Sequence, residues 1–289
     1  MLIGVCIFYF SASLSYDIGE IQKMPERSVI FDMDGSELAT LHGEKRRLIS
    51  RSEIPDFFVS ALQAREDKRF FSHKGVDFPG IIRATLRNAS DMSFTQGAST
   101  LTMQLARNSF NLREKSLHRK LIEIAIALRI EVSYSKDEIL SAYVNRIYFG
   151  SGCHGLEEAA RLYFGVSASE LTRRQCALLV GIIRAPHACS PLRSPEKAIL
   201  QQDGVLDRMV VEKVLNPEEA LKIQSSDLGL HGGGGPSAGN RALQAVRRHF
   251  EELIDARDIR NGGLRLQSTI SADVPVSYTH LTLPTNREV

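Results

Sequence analysis

From Ile54 onward, apolar residues recur at helical spacing for about 170 residues, with no strands alternating between the helices. A chain patterned in this way has no strands from which to build the parallel sheet of an α/β fold, so it must bury helix against helix. The segment "IPDFFVSALQAREDKRFF" places Phe58, Leu62 and Glu66 at four-residue steps, with Phe57 and Ala61 beside them. The same periodicity predicts helices in "SLHRKLIEIAIALRIE", "SKDEILSAYVNRIYF", "GLEEAARLYFG" and "SELTRRQCALLVGIIRA", the last opening in its serine-led cap region and closing before Pro186. One more helix is predicted over Pro217 to Leu228. "HGGGGPSAGN" reads as a flexible linker, "NRALQAVRRHFEELIDAR" as resumed helix, and "GGLRLQSTISADV" as extended chain.

Ahead of the helices, "VIFDMDGSEL" ends an apolar run in Asp-x-Asp-Gly, the pattern of a haloacid-dehalogenase-type nucleophile strand. That chemistry needs Asp32 at the end of a buried parallel strand, with further βα units to bring up its partners. None follow, and Glu37 stands where that motif requires an apolar residue. Asp32 and Asp34 are therefore read as turn residues of a hairpin, with Asp34-Gly35 supplying the positive-φ turn between Val29–Phe31 and a returning strand over residues 36–42.

With 289 residues, 43% of them hydrophobic, the chain can bury one sizeable core with a small satellite. A net charge of +2 argues against a general nucleic-acid binder, so basic character has to be local. It is local between Met103 and Lys136, where Arg107, Arg113, Lys115, Arg119, Lys120, Arg129 and Lys136 face only Glu114, Glu123 and Glu131. Cys6, Cys153, Cys176 and Cys189 show no CxxC pairing, and neither a zinc site nor a disulfide framework is indicated. Residues 1–16 carry no charge and begin with "LIGVCIFYF", shorter than the roughly 20 apolar residues of a membrane span. With no basic residues before it and no clear cleavage site after it, the segment reads as the outer part of a signal anchor, the alternative being a buried strand.

Three segments carry residue types suited to chemistry. Glu66 and Asp67 place two acids at a helix C-terminus, where the macrodipole disfavours them. A carboxylate drawn onto an apolar face is a competent proton acceptor, whereas a surface acid pair would be tied to Lys68 or Arg69. In "TQGASTLTMQLARN", Ser99 and Thr100 offer hydroxyls and a cap, and a helix then presents Thr100, Gln104 and Arg107 or Asn108 on one face. Such a helix N-terminus suits an anionic oxygen. In "HRKLIE", Arg119 and Glu123 stand at i,i+4 beside Lys120, a spacing that on a surface gives a solvated ion pair.

In order, spacing and identity these segments resemble the family-51 peptidoglycan glycosyltransferases, the polymerase domains of class A penicillin-binding proteins. The resemblance covers about Ile30 to Ile223. It comprises Glu66-Asp67-x-x-Phe70 with His73 and Gly75; Gln96-Gly97-x-Ser99-Thr100 with Gln104, Arg107 and Asn108; Arg119-Lys120-x-x-Glu123; Lys136-x-x-Ile139-Leu140-x-x-Tyr143-x-Asn145 running to Gly150; and a helix ending near Pro186, with Ser190-Pro191 after it.

The resemblance implies a mainly α, lysozyme-like, two-lobed fold of head and jaw, with the small N-terminal β-hairpin. It divides the chain into a partial membrane anchor (1–18), a leader with the hairpin (19–48), the glycosyltransferase domain (49–225), a linker leading toward an absent transpeptidase domain (226–276) and a tail resembling translated adapter sequence (277–289). The implied substrate is lipid II, polymerised into β-1,4-linked glycan with release of polyprenyl diphosphate. Glu66 would deprotonate the acceptor hydroxyl; Arg107, Arg119 and Lys120 would neutralise the diphosphate; and Glu123 would orient those cations or a divalent ion (Mg or Mn), the one cofactor considered. Asp67, Phe70, His73, Ser99, Thr100, Gln104, Asn108 and Lys136 complete the implied substrate-binding set. The partners implied are lipid II, the growing glycan strand, the bilayer and other cell-wall synthesis proteins, with the catalytic domain on the extracytoplasmic face of the bacterial cytoplasmic membrane.

The sequence departs from the family pattern at Met103 and Ala98, where a glutamine and a glycine are usual, and at Gln175, where a glutamate is usual. Short matches to transpeptidase motifs, such as Ser133 to Lys136 and Ser194 to Lys197, fall inside the glycosyltransferase motifs or a trailing loop, and no Lys-Thr-Gly follows. Two other readings remain. A lysozyme-like lytic enzyme would use two carboxylates but no diphosphate clamp. A silent membrane-anchored glycan-binding scaffold would not need Glu66.

Overall fold

The computed structural model describes residues 2–23, 29–40, 47–82, 99–110, 112, 116–151, 153–231 and 265–269. It divides into two compact units, Met1–Met24 with Lys45–Gly233 and Pro25–Glu44 with Gly234–Val289.

The first unit is helical. Its N-terminal helix α1 (Leu2–Ser13) packs on the later helix α4, where Tyr9 Oη lies 3.0 Å from His118 Nδ1 and the Arg129 guanidinium donates to the Ser13 and Tyr16 carbonyls. No helix among the described residues is long and apolar enough to cross a membrane. Helix α2 (Asp56–Arg65) enters through Pro55 and buries Phe58, Val59, Ala61 and Leu62. Helices α3 (Leu101–Ser109), α4 (Leu117–Ser133) and α5 (Lys136–Arg146) begin at Thr100, Ser116 and Ser135, whose hydroxyls each accept a backbone N–H of the first turn. Helix α6 (Leu156–Phe164) ends at Gly165, which adopts the left-handed conformation that a Cβ would strain.

Several helix boundaries and one whole helix differ from the sequence expectation. Helix α5 stops at Arg146 instead of continuing through Phe149. Ile147 turns extended, and Tyr148–Gly150 (β3) pairs antiparallel with Cys153–His154 (β4). Helix α7 (Arg173–Ile182) starts at the Thr172 cap, because Ser167 and Glu170 close a separate 3-10 turn over Ala168–Glu170. The supposed trailing loop after Ser194 is the 17-residue helix α8 (Pro195–Val211), with Pro195 in its first turn, where a missing N–H costs nothing. Helix α9 (Pro217–Ser225) follows, capped by Asn216 and Glu219.

Helices α7 and α8 pack most intimately, and Gly181 makes this possible: a Cβ there would sit 2.8 Å from the Gln201 carbonyl carbon. Phe58, Leu62, Leu105, Ile126, Tyr143, Leu178 and Leu206 lie in one continuous core that joins α2 through α8.

The second unit contains a three-stranded sheet in the order β2-β1-β5. The expected hairpin is present as β1 (Val29–Phe31) and antiparallel β2 (Glu37–Thr40). Strand β5 (Arg265–Gln267) lies parallel to β1, pairing Ile30 with Leu266. Asp32 is buried in the turn, where its Oδ1 accepts the Asp34 and Ser36 amides at 3.0 and 2.7 Å, and Gly35 takes φ +82°. Both carboxylate contacts are internal to the turn, as a turn residue requires. The expected helix at 240–257, the expected linker at 231–240 apart from His231, and the tail at 277–289 lie outside the described residues.

Candidate active site

Glu66 is the first residue beyond the last turn of α2, with a side chain only 8% exposed. A negative charge is disfavoured there, and the protein compensates with guanidinium groups. Arg184, just past α7, donates from Nε to Glu66 Oε1 at 2.8 Å and from Nη2 to the Arg65 carbonyl at 3.4 Å. Arg208 of α8 donates to the Ala64 carbonyl at 3.3 Å. The other carboxylate oxygen, Oε2, accepts Gln104 Nε2 at 3.1 Å, and Gln104 Oε1 in turn accepts the Tyr143 hydroxyl at 3.2 Å. The surface-pair alternative fails, since Lys68 pairs with Glu212 and Arg69 with Asp77.

Asp67 is buried and does something different from its neighbour. Its Oδ2 accepts the Leu101 amide at 2.9 Å and the carboxylate takes His73 Nε2 at 2.9 Å. The N-terminus of α3, expected to receive an anionic oxygen from a ligand, therefore receives the protein's own carboxylate. Thr100 donates to the Gly75 carbonyl at 2.6 Å while capping Met103 N at 3.2 Å. Gly75 (φ +85°) cannot carry a side chain here, because a Cβ would meet the Ala127 carbonyl oxygen at 2.9 Å. Asp67, Thr100 and the Nε2 of His73 thus fix the turn after α2 against α3, while His73 Nδ1 is buried without a partner.

The third group stands on the first two turns of α4. Glu123 is fully buried, unlike a solvated i,i+4 pair. Arg119 Nη1 reaches its Oε2 at 2.9 Å and Lys120 Nζ its Oε1 at 2.8 Å. Lys120 also donates to Ser99 Oγ at 2.6 Å. Burial and the neighbouring cations Arg107 and Arg119 hold the Lys120 ammonium below the usual lysine range, against the pull of Glu123. Arg119 Nε is buried without a partner, and the Arg107 guanidinium makes no hydrogen bond or ion pair among the described residues. Two cations thus share the Glu123 carboxylate, and Arg107 acts on Lys120 through its charge.

Lys136 lies apart from that group in its bonding: its ammonium pairs with Glu131 at 2.7 Å, which also accepts Thr102 Oγ1 at 2.5 Å, and stands 4.5 Å from the centre of the buried Phe70 ring. Asn108 is exposed near the end of α3. Gln96, Gly97 and Ala98 lie outside the described residues. Met103 turns inward against Val76 and Ala127, away from the polar groups. Gln175 accepts the Thr172 amide at 2.9 Å and donates to the Leu228 carbonyl at 3.0 Å, a donation that a glutamate could not make. For a divalent ion the donor set does not fit: both oxygens of Glu123 hold cations, and no group of three or more His, Cys, Asp or Glu among the described residues could hold a metal.

Arg184 was not anticipated. A lone arginine in "GIIRAP", 118 residues from Glu66, carries no periodic or spacing signal that points to the carboxylate.

Residues 34–210 match the family model described as Transglycosylase. The chain is 38% identical over 195 residues to penicillin-binding protein 1A of Aquifex aeolicus, covering 68% of this chain and 27% of that protein. It is likewise 38% identical over 204 residues to penicillin-binding protein 1F of Bacillus subtilis, covering 71% and 29%. The crystal structure of penicillin-binding protein 1A from Haemophilus influenzae aligns over 78% of this chain and 24% of its own, with 20% identity and a TM-score of 0.43. The chain spans less than a third of the length of the two sequence relatives. With the match running from the hairpin turn through the end of α8, the chain belongs to the transglycosylase family.

Proposed function

We propose that the chain is an inverting peptidoglycan glycosyltransferase that polymerises lipid II at the extracytoplasmic face of the cytoplasmic membrane. The observation that carries this reading is the cation group of Arg119 and Lys120 bound to one buried carboxylate, Glu123, with the charge of Arg107 acting on Lys120. A hydrolase that returns its leaving group as a sugar hydroxyl has no use for such a cluster. A polyprenyl diphosphate leaving group does, because charge-assisted contacts stabilise the negative charge that develops as the glycosidic oxygen departs.

In this reaction Glu66 takes the proton of the acceptor 4-hydroxyl, whose oxygen attacks C1 of the donor sugar from the face opposite the diphosphate. One C–O bond forms as the other breaks, and the diphosphate leaves with the electron pair into the cationic group. Each oxygen of Glu66 accepts one hydrogen bond from the protein and retains a lone pair for the incoming hydroxyl. Glu123 holds Arg119 and Lys120 in place.

A lipid-tethered substrate requires an enzyme at the bilayer surface. Ile7, Phe8, Phe10 and Leu14 of the α1 region, with Leu117 at the start of α4, are all more than half exposed, an apolar surface that favours lipid. The test is direct. The whole chain, supplied with lipid II in detergent or vesicles, should yield polymeric glycan and free polyprenyl diphosphate. Supplied with finished peptidoglycan, it should release no sugar fragments. The reverse pattern would establish the lytic reading.

A further inference from the structure

The Gln104 amide stands between two groups that make opposite demands on it. Its Oε1 lies 3.2 Å from the Tyr143 hydroxyl and its Nε2 lies 3.1 Å from Glu66 Oε2. Were the amide turned over, its carbonyl oxygen would face a carboxylate that can only accept, and its NH2 would face the tyrosine. The carboxylate, which only accepts, selects the first arrangement, and the tyrosine, whose hydroxyl can donate or accept, reinforces it by donating. Tyr143 is buried on α5, and burial together with the charges of Glu66 and Asp67, against the opposing effect of Arg107, pushes its hydroxyl well above the ordinary phenol range. The hydroxyl stays protonated, and its one proton goes to Gln104.

We infer that Tyr143 is a positioning residue for the general base, acting through Gln104: by donating to Gln104 Oε1 it holds the Gln104 Nε2 toward Glu66. The inference rests on the reading of Glu66 as the base. Arg184 holds the opposite oxygen, so the carboxylate is fixed from two directions by groups that come from distant parts of the chain. Tyr143 itself never touches substrate; its effect is on the orientation and ionisation of the carboxylate.

The charged groups around Glu66 are Arg65 and Asp67 beside it in the chain and Arg184 beyond α7, with Arg208 of α8 adjoining Arg65 and Arg107 of α3 acting on Tyr143. Donation from an amide favours the charged form of a carboxylate, and a donation loosened by loss of the Tyr143 contact favours it less. Removal of the Tyr143 hydroxyl should therefore move the acid limb of the pH–rate profile to higher pH, which a loss of packing alone would not do.

The variants are Tyr143→Phe, Gln104→Leu, the two combined, and Tyr163→Phe. Tyr163 serves as the control because its buried hydroxyl donates to the Phe149 carbonyl at 2.9 Å, a bond remote from Glu66 in its partners. With lipid II as substrate, Tyr143→Phe should lower kcat about tenfold, the scale of one lost hydrogen bond, leave KM within about twofold, and shift the acid limb upward. Gln104→Leu should shift it in the same direction, and the double variant no further. Tyr163→Phe should lower thermal stability without moving the limb. An unmoved acid limb in folded Tyr143→Phe overturns the inference, as does an equal shift in Tyr163→Phe. If Tyr143→Phe does not fold, an unmoved limb in Gln104→Leu overturns it instead. Failure of the base assignment is separately visible, since Glu66→Gln would then remain active.

Discussion

The carboxylate of Asp67 accepts the backbone amide of Leu101 at 2.9 Å, so an acid at the end of one helix neutralises the exposed N–H groups that open another. Glu66, adjacent in sequence, is left to face Gln104 and Arg184. One acid serves the fold and the next is the proposed base, and substitutions should separate them. Asp67→Ala removes the α3 contact and the His73 partner together, and should cost about 2 to 4 kcal/mol of stability. Denaturant titration measures this, and Asp67→Asn should lose less because it preserves shape.

Glu123→Ala should be among the most damaging single changes. It leaves Arg119 and Lys120 with Arg107 and no carboxylate, and breaking a buried ion pair in this way costs about 3 to 5 kcal/mol. Lys120→Ala should be milder for stability, since Glu123 retains Arg119. It should nevertheless weaken binding of a phosphoglycolipid donor mimic about tenfold to a hundredfold, the value of one charge-assisted contact. Calorimetric binding and thermal melting of the two variants would show the two orders reversed.

The cation cluster also predicts a pH dependence. Lys120 is held below its ordinary value of 10.5, chiefly by burial and then by the cations beside it. Between the lowered value and 10.5 the unfolded chain binds more protons than the folded one, so this group makes stability rise with pH across that window. Anion binding runs the other way: affinity for inorganic pyrophosphate should be full while Lys120 is protonated and fall as pH rises through its lowered value. Proton uptake on binding, measured in buffers of different ionisation heat, should be present in that window and absent in Lys120→Ala.

Gln175→Glu restores the residue usual in the family, and should destabilise this chain by about 1 to 3 kcal/mol. The carboxylate retains the Thr172 cap but faces the Leu228 carbonyl with no proton to offer. Thermal melting of the variant measures the cost, and unchanged stability would mean that the Leu228 contact contributes nothing.

Much of this was legible in the sequence because helical periodicity and caps are local signals. Phe58 and Leu62 announced α2, and the apolar periodicity after Ser116 and Ser135 announced α4 and α5. Helix α8 escaped because its buried residues, Ala198, Gln202, Val205, Leu206 and Met209, include a glutamine and are spread thinly along the helix. The strand at Tyr148 escaped because Ile147-Tyr148-Phe149 fits a helix as well as a strand until the positive φ of Gly150 turns it. In the site, the spacing of Glu66, Arg119, Lys120 and Glu123 suits surface ion pairs as well, and the family resemblance singled them out. Arg184 was not among them, because only tertiary packing of α7 against α2 and α8 brings it to Glu66, and the parallel pairing of β5 with β1 spans more than 230 residues.

The central claim is that Glu66 is the base of a polymerising reaction. The most direct measurement is the rate of glycan formation from lipid II by Glu66→Gln protein, with circular dichroism to establish retained helix. The substitution preserves shape and removes the proton acceptor, and the rate should fall roughly 10²- to 10⁴-fold. Polymerisation by the folded variant at close to the unsubstituted rate would contradict the claim.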